Sequence, residues 1–121
     1  MADKLMIVLA NTDVSSPAEL GPPLFQATVA AAMEYEVEII VTGRSGELAR
    51  RGVAEQLQMP DAGQTVYALM QEAHRAGVVF KVCAPVLGLS DDNLVAEIDE
   101  TVGGAYLISE AMDDATVTLT Y

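Results

Sequence analysis

Short apolar runs, separated by breaks punctuated with Gly and Pro, set the plan of this chain. Leu5-Met6-Ile7-Val8-Leu9-Ala10 contains no polar residue and is bounded by Asn11-Thr12-Asp13. A continuous apolar run of this kind predicts a strand covered on both faces, as a parallel sheet requires. Pro22 and Pro23 suit the first turn of a helix, where a missing N–H costs little. The Ala-rich stretch from Leu24 to Tyr35 continues that helix, with Leu24, Ala27, Ala31 and Tyr35 at helical spacing. Val37 to Thr42 predicts a second strand, closed by Gly43.

Residues from Arg44 to Ala62 are the least regular. Glu47 to Arg51 has the composition of a short helix that Gly52 ends, and Pro60 and Gly63 frame a loop. Thr65 is placed to cap a helix running to Ala76, with Val66, Leu69, Met70 and Ala73 on its buried stripe. Gly77 stands at the C′ position and a third strand follows at once, Val78 to Cys83. Ser90 followed by Asp91 and Asp92 reads as a helix start, with a cap and acids in the first turn. Glu97 to Val102 fits either a short strand or a loop. A last helix runs from Gly104 or Ala105 to Met112, and Thr116-Val117-Thr118-Leu119-Thr120 alternates as a final strand.

Strands alternating with helices predict an α/β fold: a three-layer sandwich around a mainly parallel, five-stranded sheet. At 121 residues this is one domain, long enough to bury a core without disulfide or metal staples. Half the residues are hydrophobic, which excludes a disordered chain. With no tryptophan and few aromatics, the chain lacks a stacking surface for single-stranded nucleic acid. A formal net charge of −12 opposes direct binding to phosphate backbones or anionic lipid, so neither nucleic acid nor membrane is an expected partner. The charge is uneven: all six Lys and Arg lie at or before Lys81, while Asp91, Asp92, Glu97, Asp99, Glu100, Glu110, Asp113 and Asp114 follow. That acidic third is either a solvated face or a docking surface for a basic partner near Cys83. The start carries no export signal, no stretch has the length of a membrane span, and one thiol suits a reducing compartment. A cytoplasmic protein is the expectation.

The loop Asn11 to Pro17 lacks both a P-loop and GxGxxG, so no phosphate cradle and no nucleotide or flavin cofactor is expected. His74, the sole histidine, sits near a helix end where a cation complements the dipole, at the far end of the next strand from Cys83. That placement argues against a Cys–His pair within one subunit.

Cys83 is the single cysteine, and it stands where the third strand ends. Small parallel α/β proteins bind ligands and do chemistry at the carboxyl ends of their strands. One thiol forms no internal disulfide, no CxxC redox pair and no four-ligand zinc site, so no metal is expected. Two readings stand: a small buried hydrophobe, or a lone nucleophile or carrier whose partner thiol lies on another molecule. Ala84 and Pro85 leave space beside the sulfur and restrict the backbone.

The chain resembles the DsrE/DsrF-like family of small sulfur-relay proteins, which includes TusD-like carriers. The resemblance is carried along the whole length by the opening strand with Asn11-Thr12-Asp13 and by Val37 to Gly43. It continues through Ala76-Gly77-Val78-Val79-Phe80-Lys81-Val82-Cys83, Gly88-Leu89-Ser90 and Val102-Gly103-Gly104-Ala105-Tyr106-Leu107 to the final strand. It implies that Cys83 accepts sulfur as a persulfide and passes it from a donor to an acceptor protein, a sulfurtransferase-type relay. It implies further that the chain forms a homotrimer or homohexamer, and that Asn11, Thr12 and Pro85 line the pocket around Cys83. Many relatives carry a second cysteine shortly after the first, where this chain has Val86. Others lack the cysteine and serve only as assembly subunits.

Overall fold

The computed structural model describes residues 3–60, 63–83 and 93–121. Five strands form one sheet: β1 (Lys4–Leu9), β2 (Glu36–Val41), β3 (Val79–Cys83), β4 (Ile98–Val102) and β5 (Thr116–Thr120). Their order is β4-β3-β2-β1-β5, and every pairing is parallel. The expected sheet is therefore present, without an antiparallel member among the described residues. The segment that fitted both strand and loop is β4.

Parallel neighbours need crossovers rather than tight turns. Helix α1 (Gly21–Ala32) links β1 to β2, α2 (Val66–Ala76) links β2 to β3, and α3 (Gly104–Ala111) links β4 to β5. Because side chains alternate along a strand, each inner strand feeds two cores. Ile7, Leu9, Val37, Ile39, Val41, Phe80 and Val82 pack with Leu24 and Ala27 of α1 and Val66, Met70 and Ala73 of α2. On the opposite face Met6, Val8, Ile40, Cys83 and Val102 form a smaller core with Tyr106 and Leu107 of α3. Helices on both faces make the three layers.

Local chemistry sets the helix ends. Thr65 Oγ1 accepts a hydrogen bond from the Ala68 N–H at 3.0 Å, and Gly77 ends α2 in the left-handed conformation with φ 111°. Thr65→Ala is expected to lose about 1 kcal/mol of stability, read as a lower urea midpoint with unchanged slope. Helix α1 stops earlier than its spacing predicts. Glu34 adopts φ 70°, so Tyr35 leaves the helical stripe and stands half-exposed below it.

Between β2 and α2 the chain makes two short 3₁₀ segments, Gly43–Ala49 and Ala54–Gln56, instead of a helix over Glu47 to Arg51. Leu57 and Gln58 then approach Thr65 and Val66, with an antiparallel bridge from Gln58 to Thr65. The helix start expected at Ser90 lies outside the described residues. No helix continues through Leu94, which bridges to Arg50, while the Val95 N–H donates to the Ala49 carbonyl.

Candidate functional site

Cys83 is the last residue of β3, paired with Val102 of β4. Its side chain points to the α3 face, among Met6, Val8, Ile40 and Val102, and the residue is 9% exposed. Asn11 and Thr12 follow β1, at the same carboxyl end of the sheet. β2 lies between β1 and β3, so these residues are about 10 Å across the sheet from the Cys83 strand. Asn11 is exposed and donates its backbone N–H to the Tyr121 carbonyl. Thr12 is buried, and its carbonyl accepts from Ser45 Oγ at 2.9 Å. Pro85 lies outside the described residues.

The loops after β1 and β2 are joined by polar bonds. Asp13 Oδ1 accepts from the N–H and hydroxyl of Ser15, and Oδ2 accepts from Arg44 Nη2 at 2.7 Å. The Ser15 bonds, together with the Arg44 charge, outweigh partial desolvation and lower the Asp13 carboxyl below its ordinary range. Gly43 makes the junction possible: φ is +54°, and a Cβ there would stand 2.9 Å from the Ala10 carbonyl oxygen. Two further arginines of this segment have partners within the chain as well. Arg50 Nε pairs with Glu47 at 2.9 Å, and Arg51 Nη2 donates to the Leu94 carbonyl.

On the α3 face, toward the amino ends of the strands, lies a polar network that the apolar-run reading passed over. Lys4 Nζ contacts Glu38 Oε2 at 2.8 Å and Glu110 Oε1 at 2.5 Å. Lys81 Nζ donates to the Tyr106 hydroxyl at 2.6 Å and contacts Glu38 Oε2 at 3.3 Å. The Tyr106 hydroxyl donates to Glu38 Oε1 at 2.7 Å. Lys4, Glu38 and Lys81 are all buried. Burial by itself would raise the Glu38 carboxyl, but hydrogen bonds from Lys4 and Tyr106 and the two ammonium charges hold it below its ordinary value. Burial depresses both ammoniums, yet Glu110 and Glu38 raise Lys4 and the contacts with Tyr106 and Glu38 raise Lys81. The sequence signal was available: Lys4, Glu38 and Lys81 put a charge on the same face of each inner strand. Lys81 precedes Cys83 by two residues on that face, about 7 Å along the strand. Its charge is matched by Glu38.

Most of the described acidic side chains of the C-terminal third have partners within the molecule, although Asp99, Glu100, Asp113 and Asp114 are exposed. Glu97 accepts from the Tyr67 hydroxyl at 2.7 Å, and that bond with burial raises the phenol to about 12. Asp99 accepts from the Phe80 N–H and contacts His74 Nε2 at 3.1 Å. His74 therefore sits beside the amino end of β3, remote from Cys83. Glu110 holds Lys4, and Asp113 Oδ1 accepts from the Ala115 N–H. Asp91 and Asp92 lie outside the described residues. Among the described residues no three His, Cys, Asp or Glu side chains group as a metal site, and no helix is long and apolar enough to cross a membrane.

These features define the class: a wholly parallel five-stranded α/β sandwich whose lone cysteine ends an inner strand. The fold is shared with two solved structures over the full length of each chain. One is the ychN protein from E. coli, at TM-score 0.73 and 17% identity. The other is MTH1491 from Methanobacterium thermoautotrophicum, described as a protein of unknown function, at TM-score 0.68 and 14% identity. No protein-family model and no curated protein sequence matches the chain.

Proposed function

We propose that this protein is a DsrE-like sulfur carrier in which Cys83 holds a transient persulfide. The observation that carries the reading is the position of Cys83: the final residue of an inner parallel strand, where this class of sheet places its chemistry. The shared fold and the sequence resemblance support it. The Cys83 thiolate attacks the outer sulfur of a donor persulfide, forming an S–S bond as the donor's own S–S bond breaks. The donor leaves as a thiolate. Attack on the outer sulfur by an acceptor thiolate reverses the exchange and restores the Cys83 thiolate, with no net oxidation. One cysteine suffices, and the partners are a donor and an acceptor protein. The carrier works within a homotrimer or homohexamer, as the resemblance implies.

The test is intact-mass spectrometry after incubation with a low-molecular-weight persulfide. The native chain is expected to gain one sulfur, reversibly with reductant, and Cys83→Ser to gain none. A gain that persists in Cys83→Ser overturns the reading. So does the absence of any gain in a chain whose thiol alkylates readily.

A second reading, a non-catalytic assembly or regulatory subunit with a structural Cys83, is favoured by one observation. The side chain is packed among four apolar neighbours and is 9% exposed. Alkylation in native protein that proceeds only at the rate of unfolding would support that reading.

A further inference from the structure

Beside β5, on the α1 side of the sheet and opposite the Cys83 face, lies a groove of about 550 Å³ lined almost entirely by apolar side chains. Phe25, Val29 and Met33 form one stripe at i, i+4, i+8, with Tyr35 below and Val117 and Leu119 on the strand. Phe25 and Met33 are 62% exposed and Val117 is 47% exposed. Since Leu24 and Ala27 on the other side of α1 are buried in the core, this helix is apolar on two faces. A helix of that kind belongs between two packed surfaces.

β5 is also an open sheet edge. Among the described residues it pairs with β1 alone. The bonds to β1 run through the carbonyl of Ala115 and both backbone groups of Tyr121. Alternation along the strand then turns the N–H and C=O of Thr118 and Thr120 outward. The other edge, β4, carries Asp99 and Glu100 and a register irregularity opposite Phe80 and Lys81, devices that blunt an edge against pairing. β5 has no charge, no proline and no register irregularity.

We propose that this face is closed by a second copy of the chain, β5 pairing antiparallel with β5 across a two-fold axis. The strand is self-complementary: antiparallel pairing sets Thr beside Thr on one face and Val and Leu together on the other, with no like charges opposed. The two grooves merge under the paired strands, and each α1 stripe is covered by the other copy. The charge of the chain does not oppose a second copy at this face. Two chains of net charge −12 repel wherever carboxylates face each other, and the six side chains named here include none. Six roughly half-exposed side chains offer on the order of 500 Å² of apolar surface. With the paired edge and a polar rim this approaches the ~800 Å² per partner of a standard interface.

The test is sedimentation velocity over a micromolar concentration series, with amide hydrogen exchange read on the same samples. The expected mass is an even multiple of the chain, and the Thr118 and Thr120 amides are expected to be protected. Val117→Lys with Leu119→Lys, both at exposed positions, is expected to weaken the pairing by roughly a hundredfold or more and to unprotect those amides while circular dichroism stays native. A monomer, a trimer, or an unchanged mass in the double variant overturns the proposal. So does rapid exchange of the Thr118 and Thr120 amides in assembled native protein, which decides the matter even if the variant fails to fold. A monomer that takes up an apolar dye in the groove would assign the site to a small ligand instead. Neither readout involves sulfur chemistry, so persulfide loading at Cys83 is tested separately from this proposal; the two-fold pairing agrees with the homohexamer of the carrier reading and not with the homotrimer.

Discussion

Glu38→Gln is expected to lower the unfolding free energy by about 3–5 kcal/mol, because it leaves buried ammonium groups without their shared anion. Glu38 touches Lys4, Lys81 and Tyr106 at once, from a side chain that is 6% exposed. Lys4 retains Glu110; Lys81 retains the Tyr106 hydroxyl, but its remaining carboxylate among the described residues is Glu100, at 3.5 Å and half in solvent. Urea denaturation measures the loss; a change under about 1 kcal/mol would mean that the lysines swing out to water and that the network is dispensable. Replacing Glu38 and Lys81 together with apolar residues of similar size is expected to recover much of it, since desolvating the charges no longer has to be offset.

The same network sets the pH range of stability. The folded Glu38 carboxyl lies below its ordinary value of 4.5, so its contribution is present above that pH and is lost as acid titrates through the lower folded value. Lys4 and Lys81 are raised above 10.5, so their contributions are complete below that pH and fade as pH rises through the folded values. Tyr106, raised above 10.0 mainly by burial, adds to the alkaline loss, because the fold holds the neutral phenol. Stability is therefore expected to be level between these limits and to fall on both sides. In Glu38→Gln the acid-side fall should shrink.

Gly43→Ala is expected to cost about 2–4 kcal/mol, from the left-handed backbone and from the contact with Ala10 together. The Ala10 carbonyl cannot retreat freely, since it also accepts from the Arg44 N–H at 3.2 Å. Gly77→Ala is the control: φ is +111°, but open space surrounds the added methyl, so it carries conformational strain without a clash. The difference between the two urea midpoints isolates the close approach. Because Gly43 starts the turn that brings Arg44 to Asp13 and Ser45 to Thr12, faster exchange of the Arg44 and Ser45 amides should accompany the loss. Equal costs in the two variants would show that the Ala10 contact yields easily.

Much of the architecture is written in local pattern. The runs at Leu5, Val37 and Val78, the cap at Thr65 and the stop at Gly77 each follow from nearest-neighbour chemistry, and each strand lies within one residue of its expectation. The end of α1 was less legible. Tyr35 keeps the helical spacing, but a left-handed Glu34 ends the helix first, and that conformation depends on how the chain must turn into β2. The irregular stretch after Gly43 hid its first 3₁₀ segment because that segment is held by distant partners: the Arg44 N–H donates to the Ala10 carbonyl, and the Ala49 carbonyl accepts from the Val95 N–H.

For function, the sequence by itself determined the single thiol, its place at a strand end, the excess of acid and the parallel α/β class. These depend on residue identity and on local periodicity, which survive without knowledge of the fold. Only the tertiary structure decided which strands adjoin. It thereby decided that Lys4, Glu38 and Lys81 meet under Tyr106, that most of the described acidic side chains of the C-terminal third are tied to partners, and that β5 is an open neutral edge beside an apolar groove. Those are pairings between residues as far as 106 positions apart in the chain. No spacing rule spans such distances, because the register between strands is set by whichever faces can be buried together.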